Sequence, residues 1–224
     1  MCDKIRIDTC HLVFKTDKNI TASASKLRGY IGNTFKDHFL LHNHFENNFI
    51  YSYPLIQYKI IQGQASILGI DEGAKLLKEI SSDITELKLD KTYDVESKII
   101  YESDVDVNTS NEVYHYKFIT PWLALNEKNF QKYKDLSSYK ESKVFLNKII
   151  IGNILSMSKG LGVIVNRKLI VKSRLDPVTV KYKSVDMKGF TGEFKVKFRI
   201  PSFCGLGKGV SQGFGTIIPV YEER

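Results

Sequence analysis

Four of the five histidines in this 224-residue chain, His11, His38, His42 and His44, fall in its first fifth, and three of them lie within seven positions. Imidazole has an unperturbed pKa of about 6.5, so it can accept and donate a proton near neutral pH. Two close imidazoles can divide those roles. The segment LLHNHFENNFIYSYP, residues 40–54, places His42, His44 and Tyr51 together. That set suits RNA strand cleavage: a base takes the 2′-hydroxyl proton, the oxygen attacks the adjacent phosphorus, and an acid protonates the departing 5′-oxygen. A tyrosine hydroxyl can share the proton transfer or orient the phosphate. Lys26, Arg28 and Lys36, assigned to the preceding helix, are candidate cations for the phosphorane charge. Two other readings stay open on residue type alone. His38 and His42, spaced i, i+4, could bind a metal with His44 or Glu46, or the segment could be a polar loop without chemistry.

A second cluster, IPSFCGLGKGVSQGFGTI at residues 200–217, holds Gly205, Gly207, Gly209, Gly213 and Gly215 around Lys208. Glycines let backbone amides wrap an anion and the lysine adds a point charge, so a phosphate backbone is the expected ligand. The pattern matches neither GxxxxGK[ST] nor a strand-initiated GxGxxG, which argues against nucleoside triphosphates and dinucleotides. A third cluster runs from Lys159 through Arg167, Lys168, Lys172 and Arg174, with Arg167 and Lys168 expected at a strand turn where phosphates are accessible. Tyr182, Phe190 and Phe198 read as core.

The charge is partitioned. The net +8 divides into 13 basic and 17 acidic residues over 1–112, net −4, and 20 against 8 over 113–224, net +12. Between Lys159 and Lys208 stand 12 basic and 3 acidic residues interleaved with hydrophobic ones, as on a folded face that meets a polyanion. At 42% hydrophobic and 26% charged, the composition excludes disorder for most of the chain.

Period-2 alternation from Ile5 to Phe14 predicts a strand, and the residues after Thr21, taken as N-cap, predict a helix with Leu27, Tyr30, Ile31, Thr34 and Phe35 on one face. Strands follow at 53–61 and 64–70 across Gln62-Gly63, then a helix capped by Asp71, then a strand or hairpin over 86–101. This βαββαβ order is the split-βαβ, ferredoxin-like unit. The polar stretch 104–112 reads as a linker or long hairpin tip. Beyond it come a strand at 113–119, a long helix at 139–159 stopped by Gly160, strands at 162–171, 179–183 and 189–200 with a turn at Lys188-Gly189, and a last strand at 216–221. Val144, Phe145, Ile149, Ile150, Ile154 and Leu155 are the expected inward residues of that helix. The expectation is α+β: tandem ferredoxin-like (RRM-like) domains at 1–103 and 113–224 joined by 104–112, the second with a glycine-rich loop in place of its second helix.

Three cysteines, Cys2, Cys10 and Cys204, without CxxC spacing support neither a disulfide framework nor a zinc knuckle, and fit a reducing, cytoplasmic setting. No run approaches the roughly 18 apolar residues of a membrane span, so no membrane partner is expected.

Together the GLGKGVSQGFG segment, the two ferredoxin-like halves and the histidines after the first helix resemble the CRISPR-associated repeat-RNA endoribonucleases, the Cas-six family of the repeat-associated RNA-binding superfamily. LHNHFENNFIY, with His42, His44 and Tyr51, is similar to the catalytic segment of the subtype serving type I-B systems. The resemblance implies metal-independent cleavage of CRISPR repeat RNA without a cofactor, leaving a 2′,3′-cyclic phosphate and a 5′-hydroxyl. Mature guide RNA would pass to a Cascade-type effector complex. It implies catalytic roles for His42, His44 and Tyr51. RNA binding is expected at Lys159, Arg167, Lys168, Lys172, Arg174, Gly205, Gly207, Lys208 and Gly209. A homodimer is a further compatible partner. Inactive members exist in that family, so an RNA-binding subunit of a CRISPR effector complex is the second reading.

Overall fold

The computed structural model describes residues 5–41, 44–45, 48–49 and 53–221, with the backbone alone for Ile5, 44–45 and 48–49. The described chain forms two compact units, one of residues 6–105 with 211–213, the other of 106–210 with 214–221.

The first unit contains β1 (Ile5–Thr16), α1 (Ala24–Thr34), the short strands β2 (His44–Phe45) and β3 (Asn48–Phe49), β4 (Ile56–Ile61), β5 (Gln64–Ile70), α2 (Glu72–Ile80), β6 (Glu86–Lys88) and β7 (Thr92–Val107). Its sheet order is β4-β5-β1-β7-β6. Without β6 this is the ferredoxin-like order of the two sequential halves, and β6 extends the edge by pairing with β7. β1 runs antiparallel to β5, with His11 opposite Leu68, and Thr9 meets Ser103 while Asp17 meets Asp94, so β7 also runs opposite to β1. Gln62 and Gly63, both in the left-handed region, make the β4–β5 turn. Alternation sends Leu12, Phe14 and Ile67 to one face, where they pack with Leu27 and Ile31 of α1 and Leu77 of α2. Each such fully buried side chain contributes about 1.5–3 kcal/mol.

Two caps differ from expectation. Thr21 is spent elsewhere, donating from Oγ1 to Asp90 Oδ2 at 3.0 Å, so the N-cap passes to Ser23, its hydroxyl accepting from Lys26 N, and α1 starts at Ala24. Asp71 stands at the N-cap position of α2, yet its carboxylate accepts from Asp8 N at 3.0 Å rather than from the helix. It therefore tethers α2 to β1. Because α1 ends at Thr34, Thr34 is exposed, and both Lys36 and His38 lie beyond the helix.

The second unit contains β8 (Thr109–Trp122), α3 (Glu127–Lys134), α4 (Tyr139–Gly160), β9 (Val171–Tyr182), β10 (Val185–Phe198) and β11 (Ile217–Pro219). Its order, β11-β8-β10-β9, repeats the ferredoxin pattern, with the glycine-rich segment standing between β10 and β11 where a second helix would be. The polar stretch 104–112 is strand on both sides of Asn108, the end of β7 and the start of β8. The sheet is held by an aromatic ladder: Tyr116, Phe118 and Trp122 of β8 against Phe190 and Phe194 of β10, with centroids 5.3–6.0 Å apart. Trp122 Nε1 donates to Asn153 Oδ1 of α4 at 3.0 Å, satisfying the one polar atom of a ring otherwise fully buried.

Several boundaries shift. α4 opens with a capping box of Ser138 and Glu141 and runs through Gly160; the left-handed residue that stops it is Gly162, with Val163 N donating back to Ser158 O. Its buried stripe is Leu146, Ile150, Ile154 and Met157, whereas Val144 and Leu155 are exposed. The strand expected at 162–171 does not form. Only Val171 belongs to a strand; the residues before it form an irregular connection after the helix stop. The β9–β10 turn is Lys183-Ser184, both at positive φ, so Lys188-Gly189 lies inside β10. α3, too polar to show a clear apolar stripe, escaped sequence reading; Asn126 caps it. Among the described residues no helix is long and apolar enough to cross a membrane.

Candidate functional site

His42 and Tyr51 lie outside the described residues, and His44 is described by its backbone alone, in β2, paired in register with Phe49 of β3. What the structure does define is how the segment is held at its two ends. Before it, a 3₁₀ turn at Phe39–Leu41 ends on Leu41, whose carbonyl accepts from the Tyr58 hydroxyl of β4 at 3.2 Å. Both residues are 1% exposed. Burial pushes the Tyr58 phenol far above its ordinary value, so it remains a donor at any physiological pH. After the segment, Pro54 O accepts from Gln57 Nε2 at 3.2 Å and Leu55 O accepts from Ile70 N at 2.9 Å. The residue next to each clamp point belongs to the histidine segment or its immediate flank. One strand, β4, thus supplies anchors at both ends.

β4 also buries charge. Gln57 and Lys59, on its second face, are both fully buried, with Lys59 Nζ donating to Gln57 Oε1 at 3.3 Å. His11 lies on the same face of this sheet through β5, opposite Leu68, which itself faces Gln57. Burial, and then the Lys59 charge, lower the His11 pKa to about 4, so His11 is neutral at pH 7. Sequence periodicity gave no sign of a buried lysine, since a Lys in an alternating strand reads as outward.

Of the helix cations, Arg28 is half-buried and donates to Ser211 Oγ at 3.3 Å, Lys26 is exposed on α1, and Lys36 lies in the turn after it. The metal reading weakens at His38, which is not helical and so has no i, i+4 helical relation to position 42. Its other candidates, His42, His44 and Glu46, fall outside the described side chains.

The second unit carries a basic sheet surface. On β9, Val171, Ser173 and Leu175 are buried on the α4 side, where Ser173 Oγ donates to Asn147 Oδ1 at 2.6 Å, so Lys172 and Arg174 point the other way. Across the sheet Lys195 of β10 stands opposite Lys172 and also opposite His115 of β8, while Glu193 stands opposite Arg174 and Lys117. Lys172, Arg174, Lys195 and Lys117 are all exposed. Directly opposed like charges destabilise a sheet, and one carboxylate, Glu193, whose Oε2 is 3.0 Å from His115 Nε2, is set among them. Lys117 and Lys195 were not singled out from sequence, although the alternation FKVKF at 194–198, with Phe194, Val196 and Phe198 buried, carried the signal.

Lys159 and Lys168 are exposed, at the end of α4 and in the connection after it, and Arg167 Nη1 donates to Asn111 Oδ1 at 3.0 Å. In the glycine-rich segment the amides of Leu206, Lys208 and Gly215 donate to Gly215 O, Leu123 O and Pro121 O. Those amides build the loop. Gly207, at φ +88°, lies so close to Trp122 that a Cβ would stand 2.7 Å from its Nε1, and one on Gly205 would stand 2.7 Å from Val210. These glycines serve close packing on the sheet, and Lys208 presents the exposed charge. Tyr182, expected in the core with Phe190 and Phe198, is only half-buried, whereas the two phenylalanines are fully so.

The relatives agree with this architecture. Residues 5–106 match the Cas6b N-terminal domain and 108–220 the Cas6b C-terminal domain. A crystal structure of Cas6b is 39% identical, covers 96% of this chain and 100% of its own, and superposes with a TM-score of 0.89. A second, described as CRISPR RNA processing endoribonuclease Cas6b, is 35% identical over the same shares with a TM-score of 0.78. MJ0978 of Methanocaldococcus jannaschii, an uncharacterized protein, is 43% identical over 148 residues, 64% of this chain and 99% of its own. A Cas6 product complex at 10% identity and TM-score 0.60 shares the fold. Two domain matches spanning nearly the whole sequence and the full-length likeness to Cas6b crystal structures place the chain in the Cas6b family.

Proposed function

We propose that this chain is a metal-independent endoribonuclease that cuts CRISPR repeat RNA and so produces guide RNAs for a Cascade-type complex. One of His42 and His44 takes the proton from the 2′-hydroxyl as the oxygen bonds to phosphorus. The other gives a proton to the 5′-oxygen as the P–O5′ bond breaks, leaving a 2′,3′-cyclic phosphate and a 5′-hydroxyl. Tyr51 orients the phosphate. RNA is held by the second domain, on Lys172, Arg174, Lys195 and Lys117, with Lys159, Arg167, Lys168 and Lys208 extending the positive field. The observation that carries this reading is the full-length likeness to a Cas6b described as a CRISPR RNA processing endoribonuclease, in a chain that has two histidines, His42 and His44, in the segment between Leu41 and Pro54.

Repeat RNA incubated with the protein in excess EDTA tests it. Cleavage is expected with EDTA present, and a repeat carrying a 2′-deoxy at the scissile nucleotide should bind and stay intact. His42→Ala and His44→Ala should each lose cleavage by about 10²–10⁴-fold while retaining affinity. Activity that appears only on adding a divalent ion overturns the chemistry. Tight binding without cleavage under any condition would assign the chain to the non-catalytic RNA-binding role.

A further inference from the structure

Where the β9–β10 hairpin ends, α3 and the glycine-rich segment join it around a cavity of about 420 Å³ that is separate from the basic sheet face. Its most conspicuous wall is Tyr182. This ring is not a core aromatic that happens to be open on one side; three independent features hold it in place. Gly209, at φ +75°, lies so close that a Cβ there would stand 2.9 Å from Tyr182 Cε2. Phe214 meets the ring edge-on, with centroids 5.5 Å apart. The turn that follows, Lys183-Ser184, takes left-handed φ values of 50° and 65° without a glycine or asparagine, a conformation such residues adopt at a cost. The hairpin imposes that conformation, and it ends β9 at Tyr182, directly before the turn.

Cations wait at the ring. Lys208 Nζ stands 5.1 Å and Lys183 Nζ 5.8 Å from the Tyr182 centroid. A base stacked on the ring would take the place of these ammonium groups and leave them beside its own phosphate, the arrangement by which single-stranded nucleic acid is gripped. Phe130 adds a second apolar wall. Two carboxylates, Glu127 and Asp186, also line the cavity. They are poor company for a phosphate. Being acceptors only, they suit the exocyclic amino group of cytosine, adenine or guanine and oppose the carbonyl edge of uracil. The volume is at the small end of the 300–1,000 Å³ range of ligand pockets, suited to one nucleotide and not a duplex.

The position also matters. Lys172 and Tyr182 are ten residues apart on one strand, roughly 33 Å at the rise of an extended chain, so a nucleotide here is several positions from any phosphate at Lys172. We infer that this cavity is a nucleotide-reading subsite: it takes one unstacked, amino-bearing nucleotide, its base on Tyr182 and its phosphate on Lys208 and Lys183. The inference rests on the RNA-processing reading and adds to it a residue-level source of sequence preference.

The test uses the full chain and 5′-labelled single-stranded decamers, oligo(C) and oligo(U), read by fluorescence anisotropy, with inorganic polyphosphate as a base-free competitor. Wild type should prefer oligo(C). Tyr182→Ala should weaken oligo(C) by roughly 5- to 150-fold, the range of one lost base–aromatic stack, and leave polyphosphate binding unchanged. Tyr182→Phe should keep oligo(C) affinity. Glu127→Gln combined with Asp186→Asn should bring oligo(C) and oligo(U) together. If Tyr182→Ala weakens polyphosphate as much as oligo(C), or changes neither, the subsite is wrong while RNA binding stands. A wild type that binds no oligonucleotide overturns the RNA reading along with it.

Discussion

Removing one hydroxyl, by Tyr58→Phe, should separate the clamp on the histidine segment from the chemistry within it. The Tyr58 OH is the donor to Leu41 O, both residues being 1% exposed. Phenylalanine fills the same space but leaves that carbonyl buried without its donor. An unsatisfied buried group of this kind costs about 1–3 kcal/mol, which in a chain of this length lowers Tm by roughly 2–12 °C. The functional cost is of a different order. Leu41 immediately precedes His42, and a displacement of about 1 Å at reacting groups can lower the rate by about 10²-fold. Tyr93→Phe is the matched control. Its hydroxyl, bonded to Asp90 Oδ1 at 3.0 Å and Thr21 Oγ1 at 3.2 Å, is tied to the edge of the same sheet and not to the segment. Differential scanning calorimetry and single-turnover cleavage with saturating repeat RNA would be measured on both variants. Both should melt earlier, and only Tyr58→Phe should lose rate, at unchanged RNA affinity. A Tyr58→Phe protein that melts as wild type does would show that the hydroxyl does not satisfy a buried carbonyl. Equal rates in the two variants would show that the clamp does not position the histidines.

Two further outcomes follow from the electrostatics. Lys172→Ala and Lys195→Ala should each reduce the salt dependence of RNA affinity by about one counterion in the log–log slope, with no change in the cleavage rate of bound RNA; an unchanged slope would remove the sheet face from the RNA interface. His11, its pKa lowered from 6.5 to about 4, is protonated more readily in the unfolded chain, so stability rises with pH between those values and is flat above them as far as His11 is concerned. Urea unfolding at pH 4.5 and pH 7.5 should therefore show a loss of about 2–3 kcal/mol in acid that His11→Gln removes, and equal acid sensitivity in the variant would refute the assignment.

Periodicity carried much of the topology in the second sheet, where β9 and β10 alternate buried and exposed, while β4 and β5 of the first are buried on both faces and read from their β-branched runs; the glycine loop of the second domain stood out by composition alone. The misses share a cause: each was decided by a partner far away in sequence. Thr21 has every property of an N-cap, but Asp90 and Tyr93 claim its hydroxyl, and the cap passes to Ser23. Lys188-Gly189 is a stronger turn signal than Lys183-Ser184, yet Gly189 sits inside β10 and packs near Pro121 and Trp122. Lys59 alternates as an outward residue would and is fully buried beside Gln57.

The candidate site was legible in a different way. Residue type alone singled out His42, His44 and Tyr51 as candidates, since two imidazoles and a phenol in one short segment are groups that can move protons. It could not name what holds that segment, since Tyr58 and Gln57 read as ordinary strand residues until β4 is seen to meet Leu41 and Pro54. The same holds for binding. The excess of lysine in the second half was visible, but its meaning depends on register: the pairing of Lys195 with Lys172 turns a charge count into a surface with two cations set side by side. Like charges directly opposed across a ladder cost stability, and Lys172 with Lys195 is such a pair, which is why those two positions are the ones to read in the salt dependence.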